Sequence, residues 1–214
     1  MEYSYVKELD EFFCAQFCDY VRLSAIEGYK MPEMLTVGPD GNITRLDAKF
    51  MRLSYQAEWE RLLARFKEGL ADTSFTFDFS YPRFFERTRD RFRKDTFAKL
   101  LPAVLKKYDE TPESAGEKLT LEPVIWKGIV KGKFYPEKNV VMALALVCRM
   151  NMFDVNNLLA VCGFELKGDE VRDVVFEYLV MQKIFNADMR DRCLAEYKLD
   201  TIPIRREAET PNPA

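Results

Sequence analysis

Residues 122–146 read EPVIWKGIVKGKFYPEKNVVMALAL. The stretch holds two helical patterns separated by a Gly-Lys-x-x-Pro turn. Pro123 suits the first helical position, where its missing N–H goes unused. Behind it, Val124 or Ile125, with Trp126 and Ile129, face a core at helical spacing. Gly132 ends this helix where φ is often positive, and Pro136 begins the next. Val141, Leu144, Ala145 and Cys148 then recur at 0, 3, 4 and 7, the stripe of a buried helix face. The first helix nevertheless opens on a glutamate and a proline, poor groups for contacting an anion.

The same kind of reading extends in both directions. Upstream, Phe97, Leu100, Leu101, Val104, Leu105 and Tyr108 make one stripe, with Pro102 either kinking that helix or opening a new one. Thr111-Pro112-Glu113 is a helix start with a cap, a proline at the first position and an acid in the first turn. Downstream, Asp154 opens a helix through Val155, Leu158, Leu159 and Cys162 that Gly163 closes. Two more are expected, at about 169–183 and, capped by Asn186, at 187–198. Residues 96–163 should therefore form a five-helix unit burying Trp126, Ile129, Leu144, Leu158 and Leu159 together, with two flanking helices beyond it.

The helix pair and turns of residues 111–136, TPESAGEKLTLEPVIWKGIVKGKFYP, resemble the lambda-repressor-like (XRE-like) helix-turn-helix family. That family's frame runs TQ-EELA-x-x-x-GIS-x-x-x-IS-x-IE-x-GK-x-x-P, and no gap is needed. Thr111 takes the cap of the second helix and Leu121 the apolar turn position; Gly132 and Pro136 fall on the family's Gly and Pro. The following NVVMALALVCRMNMFDVNNLLAVCGFEL is similar to a variant found at the C-terminus of some bacterial macro-domain proteins. The resemblance implies contact with double-stranded DNA from the start of the second helix and the first exposed positions of the third. Carried onto this chain, those positions are Pro112, Glu122, Pro123, Val124 and Lys127. Pro112 lacks the amide side chain that braces a phosphate, and Pro123 and Val124 offer no hydrogen bond. Glu122 carries the wrong charge for phosphate unless it accepts from a cytosine amine. The expected nucleic-acid-binding residues are therefore Lys127, Lys131, Lys133 and Lys138, with Glu122 beside them. Lysines position a duplex without reading it.

The N-terminal ninety residues carry no such frame. Residues 4–29 follow the helical period through Val6, Leu9, Phe13, Phe17, Tyr20 and Val21. MLTVGPDGNITRL, residues 34–46, places two short strand-like runs around a Gly-Pro-Asp-Gly-Asn turn, a hairpin. Residues 47–69 are helical again, with Phe50, Leu53, Ala57, Leu62 or Leu63, and Phe66 as the apolar face and Gly69 as the stop. FTFDFS, residues 75–80, alternates and reads as an extended edge piece, and Pro82 opens an arginine-rich helix over 83–94. Those arginines form either a phosphate-facing surface or a solvated face balanced by Glu86, Asp90 and Asp95.

Composition bounds the function. At 214 residues, 48% hydrophobic and 31% charged, the chain has the make-up of a globular protein with a sizeable core. Its 32 basic against 35 acidic side chains leave a net charge of -3, which argues against a protein dominated by phosphate contacts. Histidine is absent, so imidazole bases and mixed Cys/His zinc sites are excluded. No Gly-rich phosphate loop, paired-carboxylate motif or metal motif stands in the chain, and the expectation is a non-enzyme without cofactor or metal. The five cysteines are Cys14, Cys18, Cys148, Cys162 and Cys193. Cys14 and Cys18 share a helix face as half of a metal site, but no second close pair completes it. Buried reduced thiols in the cytoplasm fit better. The acidic start MEYSYVKELDEF is unlike a signal peptide, and no run approaches the ~18 apolar residues of a membrane span.

The expected fold is mainly α. Residues 1–90 form a helical domain with a short hairpin, 91–206 a multi-helix, helix-turn-helix-like bundle, and 207–214 a disordered tail. The expected function is that of a regulatory protein with weak, low-specificity DNA binding. The alternative is a helical protein-interaction module, such as a phage-defence or anti-defence factor, whose partner is a protein or a second copy.

Overall fold

The computed structural model describes residues 4–16, 35–37, 42–45, 56–82 and 95–205. Their order is α1 (Ser4–Gln16), β1 (Leu35–Val37), β2 (Ile43–Arg45), α2 (Gln56–Gly69), β3 (Phe79–Ser80), α3 (Phe97–Lys106), α4 (Pro112–Lys118) and α5 (Pro123–Val130). β4 (Tyr135–Pro136), α6 (Lys138–Val147), α7 (Met152–Cys162), α8 (Val171–Met181) and α9 (Ala187–Glu196) follow. The chain is mainly helical. β1 and β2 pair antiparallel with Leu35 opposite Arg45, forming the hairpin that the Gly-Pro-Asp-Gly-Asn turn predicts. The arginine-rich segment 83–94, the tail after Arg205, Cys18 and the expected helix residues 17–29 and 47–55 lie outside the described residues.

α6 is the axis of the C-terminal bundle. Every side chain from Val140 to Leu146 is buried, and a helix that is apolar all round is an interior one. α7 packs against both α6 and α3, α8 against α6, α7 and α9, and α4 against α3, α5 and α6. The five residues expected in one core are there: Ile129, Leu144, Leu158 and Leu159 have no exposed surface and Trp126 is 5% exposed. Val124 is 74% exposed and Ile125 half-buried, so Ile125 is the one that turns inward. Both Leu62 and Leu63 are buried.

Helix ends mostly follow local chemistry. Thr111 and Ser114 cap α4 reciprocally, and Asn186 accepts from the N–H groups of Asp188 and Met189. Gly163 closes α7 at φ 82° and Gly132 follows α5 at φ 68°, the left-handed region that glycine enters without a Cβ clash. Two boundaries differ from expectation. Asn151, not Asp154, caps α7, because its side chain accepts from the Asp154 N–H and starts the helix three residues earlier. Pro136 pairs with Phe79 in the β3–β4 ladder instead of opening α6, which begins at Lys138. Pro102 lies inside α3 on its exposed side, where water can satisfy the carbonyl that loses its N–H partner.

The N-terminal elements join the same core. α1 packs on α8 and α9, placing Leu9, Phe13 and Cys14 in the hydrophobic cluster. A polar knot fixes the arrangement. Tyr197 donates to Asp10 (2.7 Å), while Lys67 pairs with Asp10 (2.7 Å) and Glu196 (2.9 Å) and lies over the Tyr197 ring. Between α2 and β3 the chain runs extended, with Phe75, Phe77 and Phe79 half-buried and Thr76, Asp78 and Ser80 exposed, the alternation of a strand lying on a surface.

Candidate functional site

α4 and α5 are short helices joined by residues 119–122. Leu119 and Leu121 are buried under the turn, and Trp126 locks the pair: its indole N–H donates to the Pro112 carbonyl at 2.6 Å. Two glycines allow the packing. A methyl group added at Gly116 would collide with the Trp126 indole, and one at Gly128 with the Phe134 ring. A glycine inside a helix is unfavourable by about 1 kcal/mol relative to alanine, and close ring contact explains why it stands there. That propensity penalty is the sequence signal for both positions, although it names neither partner.

The pair presents an exposed rim of Glu122, Pro123, Val124 and Lys127. On α4 the exposed charges are Glu113 and Glu117, so across residues 112–130 three exposed carboxylates stand against one exposed lysine. Lys131 and Lys133 are exposed beyond the end of α5 and line an open cavity of about 410 Å³ with Thr96, Lys99 and Phe134. Among the described residues, no carboxylate lines it. Pro112 is half-buried, with its carbonyl occupied by Trp126.

Lys138 is placed elsewhere. Its ammonium pairs with the buried carboxylate of Asp173 and with Glu170 (3.2 Å), and its side chain is only 17% exposed. Of the four lysines expected on a nucleic-acid surface, Lys127, Lys131 and Lys133 remain exposed. Lys138 is a structural counter-ion, because Asp173, in the first turn of α8, would otherwise be a buried lone charge. Burial pushes the Asp173 carboxyl above its ordinary range, and the bonds from Lys138 and the Lys167 N–H only partly offset this.

Two further polar clusters pin helices of the bundle. Asp154 is buried and accepts from Lys107 Nζ (2.6 Å) and the Tyr108 hydroxyl (2.7 Å), tying α7 to the end of α3. Burial alone would raise the Asp154 carboxyl, but those bonds hold it below the usual carboxylate range. Glu110 likewise opposes its burial with bonds from Lys118 and Ser114, and is held low. These carboxylates are engaged as charged acceptors, which suits them to holding helices together.

The thiols are inert by environment. Burial pushes Cys148 and Cys162 up to about 12 and Cys193 to about 11, so the nucleophilic, metal-binding thiolate is scarce at neutral pH. Cys14 is also buried. Among the described residues, no three Cys, Asp or Glu side chains are grouped to hold a metal ion, and no helix is long and apolar enough to cross a membrane. Native Cys148 and Cys193 should react with an aromatic disulfide at least about a hundredfold slower than a free thiol. Peptide mapping of the labelled protein checks this; labelling of either at the free-thiol rate would contradict it.

No protein-family model, characterised protein or solved structure matches the chain significantly.

Proposed function

We propose that this chain is a regulatory protein in which the α4–α5 pair, a helix-turn-helix-like scaffold, docks another protein instead of reading DNA sequence. The rim carries the reading. Glu122, Pro123 and Val124 occupy the positions from which a DNA reader would reach base edges, and all three are exposed. A valine 74% exposed beside a proline offers apolar contact, and the carboxylate of the neighbouring Glu122 repels phosphate. Glu113 and Glu117 add to that repulsion.

Lys127, Lys131 and Lys133 support a second reading, weak contact with a duplex backbone, because all three are exposed. One titration separates the two. Labelled random-sequence duplex is added to the protein by anisotropy at rising salt, for wild type, for Lys127→Ala/Lys131→Ala/Lys133→Ala and for Glu122→Gln. The docking reading expects no saturable binding even at low salt. Backbone contact expects weak binding whose salt slope falls by roughly one unit for each lysine contact removed. It also expects Glu122→Gln to bind more tightly. Nanomolar binding to one sequence, lost in Glu122→Gln, would make Glu122 a base reader and overturn both readings.

A further inference from the structure

We propose that residues 73–80 are a latch occupying a peptide groove of the C-terminal bundle, and that an extended partner segment with aromatic side chains at alternate positions takes the groove when the latch lifts. The groove concerns a different face from the α5 rim and does not depend on which ligand that rim takes.

The seating is that of a bound peptide. Backbone and alternate side chains do separate work, as in strand-like recognition. At one end the Thr73 N–H donates to the Lys198 carbonyl (3.3 Å), the Asp200 N–H to the Thr73 carbonyl (3.1 Å), and the Phe75 N–H to Asp200 Oδ2 (3.4 Å). Arg172 then reads the backbone. One of its nitrogens faces the Thr73 carbonyl (3.2 Å), Thr73 Oγ1 (3.0 Å) and the Ser74 carbonyl (3.0 Å), while its guanidinium lies over the Phe75 ring. Further along, Asn139 Nδ2 donates to the Thr76 carbonyl (2.8 Å) and the Glu137 N–H to the Asp78 carbonyl (3.1 Å). The strip ends by pairing Phe79 and Ser80 with Pro136 and Tyr135, with the Phe79 ring on Phe134. The bundle thus supplies groups from the segment after α9, the start of α8, the start of α6 and β4.

The side chains define the ligand class. Phe75, Phe77 and Phe79 are half-buried on the bundle side, whereas the intervening Thr76, Asp78 and Ser80 are exposed and make few demands on sequence. Each of these backbone bonds joins the strip to the bundle, and none joins the strip to itself. A segment with half-exposed side chains and no internal ladder belongs to the low-stability end of a protein's local openings. Tethering keeps it seated, since a covalently linked segment acts at an effective concentration in the millimolar range. A free peptide of ordinary affinity therefore competes poorly until the tethered copy is weakened.

The probe is a fluorescein-labelled peptide with the sequence of residues 72–81, DTSFTFDFSY, added to the full chain and followed by anisotropy. Wild type should show no saturable binding up to about 100 µM, because the tethered copy holds the groove. Phe75→Ser/Phe77→Ser/Phe79→Ser removes the latch anchors, leaves the groove intact and should bind the peptide at least about tenfold more tightly than wild type. Adding Arg172→Ala to that variant should weaken binding by about tenfold or more, since one side chain serves three acceptors. Failure of the folded variant to bind, or equal binding by wild type, overturns the proposal. Hydrogen exchange on wild type decides the matter if the variant does not fold. The Thr73 and Phe75 amides should exchange about a hundredfold or more faster than those of Ala143 and Leu144. Exchange of all four at one global rate would overturn it.

Discussion

Replacing Trp126 with alanine should lower the unfolding free energy by about 3–5 kcal/mol, the range for truncating a buried large aromatic. The indole is 5% exposed and bridges α4 to α5, so its loss opens a cavity between the two helices and releases the Pro112 carbonyl. A second substitution makes the expectation specific to this geometry. In wild type, Gly116→Ala drives a methyl group into the indole and should cost about 1–3 kcal/mol, as overpacking does. In the Trp126→Ala background the same methyl enters the vacated space, and alanine is favoured over glycine in a helix by about 1 kcal/mol. Gly116→Ala should therefore change sign, from destabilising to stabilising. Urea denaturation of the four proteins measures the cycle. Additive effects would mean that the indole does not lie over Gly116, and the frame placing Trp126 inward would fail with it.

The sequence carries information at short range. Thr111, Asn186, Gly132 and Gly163 each act on backbone groups within a few residues, and each stands where capping and turn chemistry place it. The apolar stripes of α3, α6 and α7 are likewise legible, since helical period and burial are one signal. What escapes is pairing over distance. Nothing near Asp173 in the sequence marks it as a buried charge, and Lys138 reads as a surface cation; only the packing of α6 on α8, across 35 positions, makes each the other's requirement. Lys107 and Asp154 are 47 apart, and neither periodicity nor charge count joins them. The α7 start escapes for a related reason: Asn151 and Asp154 are both good terminal residues, and tertiary bonds to Asp154 decide which one caps. The α5 rim lies between these cases. Its position follows from the helical frame, which leaves Val124 or Ile125 as the inward residue until packing chooses Ile125, whereas the preference for protein or duplex depends on neighbouring charges such as Glu113 and Glu117.

Lys138→Met should destabilise the chain by about 3–5 kcal/mol at neutral pH, the loss seen when one member of a buried ion pair is removed. Lys138 opens α6, where a cation is unfavourable against the helix dipole, so its retention there is explained by Asp173 and Glu170. Removal strands the Asp173 carboxylate, which is 2% exposed and keeps the Lys167 N–H at 2.8 Å. The pH dependence follows from the sign of its shift. Burial already holds the folded-state pKa above the ordinary carboxylate value, and losing the cation raises it further. A raised folded pKa favours the fold at low pH and withdraws that advantage as pH rises through it. The deficit of Lys138→Met relative to wild type should thus be small in acid, where Asp173 is protonated, and grow to its full size as pH rises past the raised value. Removing both charges as Lys138→Met/Asp173→Leu should recover most of the loss, because a matched apolar pair is often neutral against the ion pair. Denaturation midpoints across pH test each step. If Lys138→Met instead leaves stability unchanged at every pH and weakens duplex binding, Lys138 is a phosphate contact after all, and the three-lysine surface becomes the four-lysine surface read from the sequence.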